Sequence, residues 1–249
     1  MGDTRGQELK GKVAIVTGAG RGIGRAIAIA CARAGAAVCC AARTLEEIEG
    51  TKKEIVTGGG QAIAVHTDVT QLDSVEQMFR RTVQHFGGLD ILVINAGALH
   101  ERRPVADSRP EAWRATVEVN LIGAYYCAKT AIPYMRQRGA GKIITVGSGV
   151  GHRGRAGSSA YACSKAGLWM LTRVLAQELW PDNISVNELI PGPVKTVLNV
   201  DASSQRGSRL AESEWLKTPE DVVPLAMFLA KQPAVGPTAQ SFSLMRRDA

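Results

Sequence analysis

The sequence predicts an α/β fold, a doubly wound parallel sheet of about seven strands with helices on both faces. Three observations carry that expectation. Short apolar, β-branched runs alternate with longer stretches of helical periodicity along the chain, the signature of right-handed βαβ units. Those runs are apolar throughout rather than alternating, as strands covered on both faces must be. A glycine-rich stretch, TGAGRGIG from Thr17 to Gly24, falls where the first run gives way to the first helix.

Strands are expected at Val13–Thr17, Ala36–Ala42, Ala62–His66, Ile91–Asn95, Lys142–Val146, Ile184–Leu189 and Ser241–Leu244. Helices are expected at Ile23–Ala34, Leu45–Thr57, Gln71–Phe86, Arg109–Arg138, Ser159–Leu179 and Thr218–Ala230. No internal repeat or low-complexity linker interrupts the pattern, so residues 1–249 are expected to form one domain. The polar stretch Thr196–Lys217 lacks strand character, and its length suits a loop over a substrate.

The chain has 249 residues, 45% of them hydrophobic and 21% charged, enough to bury a sizeable core. No apolar run is long and clean enough to span a bilayer. The opening MGDTRGQELKGK is polar and lacks a signal peptide's apolar centre, so the chain is expected to be cytoplasmic. The five cysteines show no metal spacing and are read as small reduced core residues. The four histidines are scattered, and no metal site is expected. A net charge of +7 raises nucleic-acid binding, yet no basic run exceeds two residues and aromatics are sparse. A solvated basic surface serving anionic small molecules is the better reading.

In the glycine loop, Gly18, Gly20, Gly22 and Gly24 would let the backbone approach a dinucleotide pyrophosphate, and the helix opening at Ile23 would present free N–H groups to it. At the end of the second strand an acidic side chain would bind the ribose diol of NAD. Ala42 and Arg43 stand there instead, and Arg21 lies in the loop. Two guanidiniums suit the 2′-phosphate of NADP(H). Asp68, at the end of the third strand, is placed to accept from an adenine amine. Asn95, Ala96 and Gly97 end the fourth strand, where small residues let an adenosine pass.

Tyr161 and Lys165 are four positions apart on a predicted helix and share one face. A free phenol titrates near ~10, and a nearby ammonium would lower that value into a useful range. Ser148, at the end of the fifth strand, could donate to a carbonyl oxygen as charge develops on it.

With these motifs in order, the chain resembles the short-chain dehydrogenase/reductase family in its single-domain, Rossmann-fold branch. The resemblance runs from about Lys10 to Ala230 and takes in TGAGRGIG, Asp68-Val69, Asn95-Ala96-Gly97, Val119-Asn120-Leu121, Gly147-Ser148, Tyr161-xxx-Lys165 and Pro191-Gly192-Pro193-Val194-Lys195-Thr196. It implies a tetrad of Asn120, Ser148, Tyr161 and Lys165. Tyr161 would exchange a proton with the substrate oxygen, Lys165 would also hold the nicotinamide ribose, and Asn120 would support a water relaying protons to Lys165. Val194 and Thr196 would meet the carboxamide, beside Pro191 and Gly192.

Within that family, GKIITVGSGVG and AYACSKAGL are most similar to 3-oxoacyl-[acyl carrier protein] reductases, which implies a role in fatty acid metabolism. By the same resemblance the basic cluster Arg136, Arg138 and Lys142 would meet an acidic carrier. Glu188, where a small or apolar residue is usual, and the ending SFSLMRRDA depart from the pattern. His152, Arg153 and Arg155 line an anionic substrate's path or are ordinary loop charges. The expectation is an NADP(H)-dependent oxidoreductase of a ketone/secondary alcohol pair, with a 3-oxoacyl thioester as the foremost substrate. A dehydrogenase of a small polyol, sugar or steroid alcohol is the alternative, and a non-catalytic NADP-binding scaffold or sensor is the alternative from another class. Apolar residues on two long helices, Tyr125, Tyr126, Trp169, Met170 and Leu171, together with the resemblance, imply a homodimer or homotetramer.

Overall fold

The structure, a computed structural model, describes residues 6–196 and 215–245. Its centre is a seven-stranded sheet in the order β3-β2-β1-β4-β5-β6-β7. All neighbours run parallel. The strands are β1 (Val13–Thr17), β2 (Ala37–Ala42), β3 (Gln61–His66), β4 (Ile91–Ile94), β5 (Gly141–Val146), β6 (Ile184–Ile190) and β7 (Ser241–Ser243). Every residue of β1, β4, β5 and β6 is buried, which is why these runs carry no polar alternation.

One face is covered by α1 (Gly22–Arg33), α2 (Leu45–Thr57) and α8 (Val223–Ala230), through residues such as Ile27, Ile48, Ile55 and Met227. The other is covered by α3 (Leu72–Phe86), α5 (Gly123–Arg138) and α7 (Ser159–Leu179), through Phe79, Cys127, Leu168 and Leu175. Helix α3 shows the sequence logic plainly. Val75, Met78, Phe79 and Thr82 recur at helical spacing and are buried. The helix stops where Gly87 takes φ +84°, a left-handed cap.

Two expected elements differ. The single helix expected over Arg109–Arg138 is α4 (Pro110–Val117) and α5, joined by a π-helical turn at Glu118–Ile122. An extra short helix, α6 (Gly149–Arg153), follows β5. Its five residues are too few, and too glycine-rich, to leave a periodic signal. In the stretch expected to cover a substrate, residues 197–214 lie outside the described residues.

The chain order reverses between β1 and β4, each carrying its crossover away from the other. Ligands of open parallel sheets bind outside the strand carboxyl ends at such a point. At the opposite end, Asp90 ties the sheet together. Its Oδ2 accepts from the Val13 N–H at 2.9 Å and from Arg138 at 3.0 Å, and its Oδ1 accepts from Lys12 at 3.3 Å.

Candidate active site

The glycine loop leaves β1 and turns directly into α1. Gly18 and Gly22 hold φ of +67° and +55°, where a side chain would be strained. Close approach fixes the other essential glycine, since a Cβ on Gly24 would lie 2.3 Å from the Gly18 carbonyl oxygen. The loop is pinned from β4. The Asn95 amide donates to the Thr17 carbonyl at 2.8 Å, while the Thr17 hydroxyl accepts from the Asn95 and Ala96 N–H groups, both at 3.0 Å. Asn95 therefore shapes the cradle from behind, and Thr17 is a hub that motif reading passed over. Arg21 offers no side-chain cap to α1, whose first turn holds no acid. Its N-terminal N–H groups, Ile23 among them, remain suited to an anion.

Around the expected adenosine site, Arg43 is exposed just beyond β2. Arg21 is paired with Glu47 at 3.3 Å, and Glu47 also packs on Gly20, where a Cβ would lie 2.7 Å from its own Cβ. The two arginines are thus not equivalent. Asp68 Oδ1 accepts from the N–H and hydroxyl of Thr70 at 3.0 and 2.8 Å, an Asx turn that fixes the end of β3. Val69 is buried against the start of α5, at Gly123.

The expected tetrad converges at the carboxyl ends of β4 and β5. The Ser148 side chain acts on the Tyr161 phenol, opposing the rise that burial imposes on it. Lys165, one turn further along α7, is buried, and its Nζ donates to the Val146 carbonyl at 2.7 Å. Asn120 sits in the π turn with both ends of its amide engaged. Oδ1 accepts from Ala98 N–H at 2.8 Å, and Nδ2 donates to the Ala98 carbonyl at 2.9 Å and to Ser164 at 3.0 Å. Ser164 in turn donates to the Tyr161 carbonyl at 2.9 Å. The Asn120 side chain is thus a tie between the segment after β4 and α7. Gly97 is at the centre, and a Cβ there would be 3.4 Å from Asn120 Oδ1 and 3.9 Å from Lys165 Nζ.

Burial pushes the Tyr161 phenol above its ordinary value, against the Ser148 hydrogen bond and the charge of Arg102, and Lys165 is not among the groups that lower it. The Lys165 ammonium points to a backbone carbonyl, 5.9 Å from the phenol ring centre. Burial lowers Lys165 itself to about 8, and Glu188 opposes that shift.

At the last expected ligand segment, Gly192 takes φ +68°, Val194 is buried and bridges to Lys217, and the Thr196 methyl would be 3.3 Å from a Cβ on Gly22. Thr196 thus lies against the glycine loop.

One expectation, that all five cysteines lie in the core, fails. Cys163 is exposed beside Tyr161, whereas Cys31, Cys39, Cys40 and Cys127 are buried, with burial pushing each thiol up to about 12. The cluster Arg136, Arg138 and Lys142 lies at the amino ends of the strands, away from Tyr161, because α5 ends and β5 begins there. Arg136 pairs with Asp182 at 2.8 Å, Arg138 with Asp90, and Lys142 donates to the Pro233 carbonyl at 2.7 Å. Among the described residues no group of His, Cys, Asp and Glu could hold a metal, and no helix is long and apolar enough to cross a membrane.

A glycine cradle at the switch point of a doubly wound sheet, with serine, tyrosine and lysine at its carboxyl edge, defines an oxidoreductase that works with a nicotinamide dinucleotide. A family model described as short chain dehydrogenase matches residues 12–207, and the chain belongs to that family. It is 33% identical over 238 residues to a 3-oxoacyl-[acyl-carrier-protein] reductase of a Synechocystis strain, covering 95% of this chain and 96% of the relative. It is 36% identical to the cis-4-hydroxycyclohexanecarboxylate dehydrogenase of Sinomonas cyclohexanicum, covering 92% and 93%. Among solved structures, a short-chain type dehydrogenase/reductase from Mycobacterium marinum superposes with a TM-score of 0.88 at 32% identity, covering 98% of both chains.

Proposed function

We propose that this protein is an NADP(H)-dependent reductase of a ketone, with a 3-oxoacyl thioester as its foremost substrate. The observation that carries the proposal is the meeting of Ser148, Tyr161 and the buried Lys165 at the strand carboxyl ends, beside a helix N-terminus open to an anion. When bound, the nicotinamide supplies or accepts the hydride. Tyr161 gives its hydroxyl proton to the substrate oxygen, and Ser148 donates to the same oxygen as negative charge grows on it. Lys165, freed from the Val146 carbonyl, holds the nicotinamide ribose and restores the Tyr161 proton. Asn120, through Ser164, fixes the helical turn carrying Tyr161. Gly18, Gly20, Gly22 and Gly24 admit the pyrophosphate, and Arg43 takes the 2′-phosphate, with Arg21 secondary because Glu47 engages it.

Residues 1–249 act as one domain in this reading, and the stretch 196–217 covers the substrate. A second reading, oxidation of a cyclic secondary alcohol, draws support from the Sinomonas relative. Steady-state rates with 3-oxoacyl thioesters and cyclic secondary alcohols, each with both nicotinamide cofactors, separate the two. Thioester reduction with NADPH supports the proposal. Turnover confined to alcohols, or to NADH and NAD, overturns it.

A further inference from the structure

Glu188 lies in the middle of β6, fully buried, between Thr145 of β5 and Ser241 of β7 in register. A carboxyl group there needs an explanation. One oxygen has partners: Oε2 accepts from Ser241 Oγ at 2.6 Å and lies 2.9 Å from His152 Nε2 of α6. The other oxygen, Oε1, is buried without a hydrogen-bond partner. It points at Gly147, whose Cβ, if present, would lie 1.8 Å from it. Gly147 is the residue between Val146, whose carbonyl holds Lys165 Nζ, and Ser148. The unpartnered oxygen therefore presses on the backbone that carries the catalytic groups.

We propose that Glu188 is a positioning residue for this centre, a buried carboxylate fixed by His152 and Ser241 that supplies the negative countercharge for Lys165 across the gap left by Gly147. The proposal rests on the assignment of Lys165 above and adds a residue to it. The hydrogen-bond pattern fits a carboxylate, since Ser241 donates to Oε2 and a proton on Oε1 would find no acceptor. His152 touches it, and the Glu188 charge acts on Lys165. His152, on α6, is partly exposed and reaches a cavity of about 220 Å³ bordered by Arg153, Ser243 and Met245. Lys165, on α7, is sealed. Against the His152 ring, Trp169 lies tilted at 4.8 Å and carries Arg173 on its own ring at 5.7 Å, so α7 contributes a second cation only at a distance. From β7 the facing group is the neutral Ser241.

In this arrangement Glu188 opposes the fall that burial imposes on Lys165. Removing its charge while keeping its shape extends that fall. Glu188→Gln is therefore expected to move the Lys165 titration, followed through its Cε chemical shift in cofactor-free protein, to lower pH by on the order of one unit. In the active enzyme, the alkaline limb of the reduction rate moves the same way. A second pair of variants guards against misfolding. Gly147→Ala alone drives a methyl onto the carboxylate and is expected to lower the melting temperature. Gly147→Ala with Glu188→Ala fills the vacated space, refolds, and shows the same acid shift. A Lys165 titration unmoved in both charge-deleted proteins overturns the proposal, as does a Gly147→Ala protein as stable as the parent. Because the titration needs no turnover, it stands or falls separately from Tyr161→Phe, whose retained activity would overturn the functional reading.

Discussion

Arg43 and Arg21 looked interchangeable in the sequence, and the side chains around them break that symmetry. Glu47, one turn into α2, engages Arg21 and packs on Gly20, whereas Arg43 is exposed at the end of β2. Arg43→Ala is expected to weaken NADPH binding by about 1.5–3 kcal/mol, roughly ten- to a hundredfold, and to leave NADH nearly unaffected. Titration calorimetry with both cofactors checks it, and Arg21→Ala is expected to cost less.

Lys165 carries the pH expectation at this scale. Its value is lowered to about 8, so the charged form predominates below that pH and is lost above it. Reduction, which draws on that charge and its proton, is expected to hold up to about pH 8 and fall above it in a pH–rate profile.

At the scale of elements, the glycine loop and the π turn show what the sequence could and could not convey. Gly24 faces the Gly18 carbonyl and Asn95 with no room for a methyl, while Gly50, inside α2, faces open space. Gly24→Ala is expected to destabilise the loop and lose cofactor binding. Gly50→Ala is expected to stabilise the protein by about 0.5–1 kcal/mol, from the backbone entropy glycine gives up in a helix. Thermal melts of both report the contrast.

Strands were legible because burial on both faces left unbroken apolar runs, and α2 and α7 because their periodicity spans whole turns. The π turn around Asn120 was not, since a one-residue widening leaves the apolar pattern of Arg109–Arg138 intact. Thr17 escaped notice because a hub within the backbone carries no spacing signature. Glu188 stood out as an acid in an apolar strand, but its partners His152 and Ser241 come from distant elements and needed the fold to be seen together.

At the scale of the whole molecule, helices α5 and α7 leave apolar surface uncovered in the single chain. Tyr125 is 43% exposed, Met170 49% and Val174 42%, while Tyr126, Trp169 and Leu171 are partly covered. Uncovered apolar surface on adjacent helices favours association, and a dimer or tetramer is expected by light scattering, dissociating when Met170 and Val174 are replaced together by glutamate.

The central claim is that Tyr161 carries the proton while the glycine cradle carries the dinucleotide. The most direct test compares NADPH consumption with a 3-oxoacyl thioester by the parent protein and by Tyr161→Phe, alongside NADPH affinity. The account predicts a rate loss of about 10²–10⁴-fold with affinity nearly unchanged. A Tyr161→Phe protein that turns over at the parental rate would contradict it.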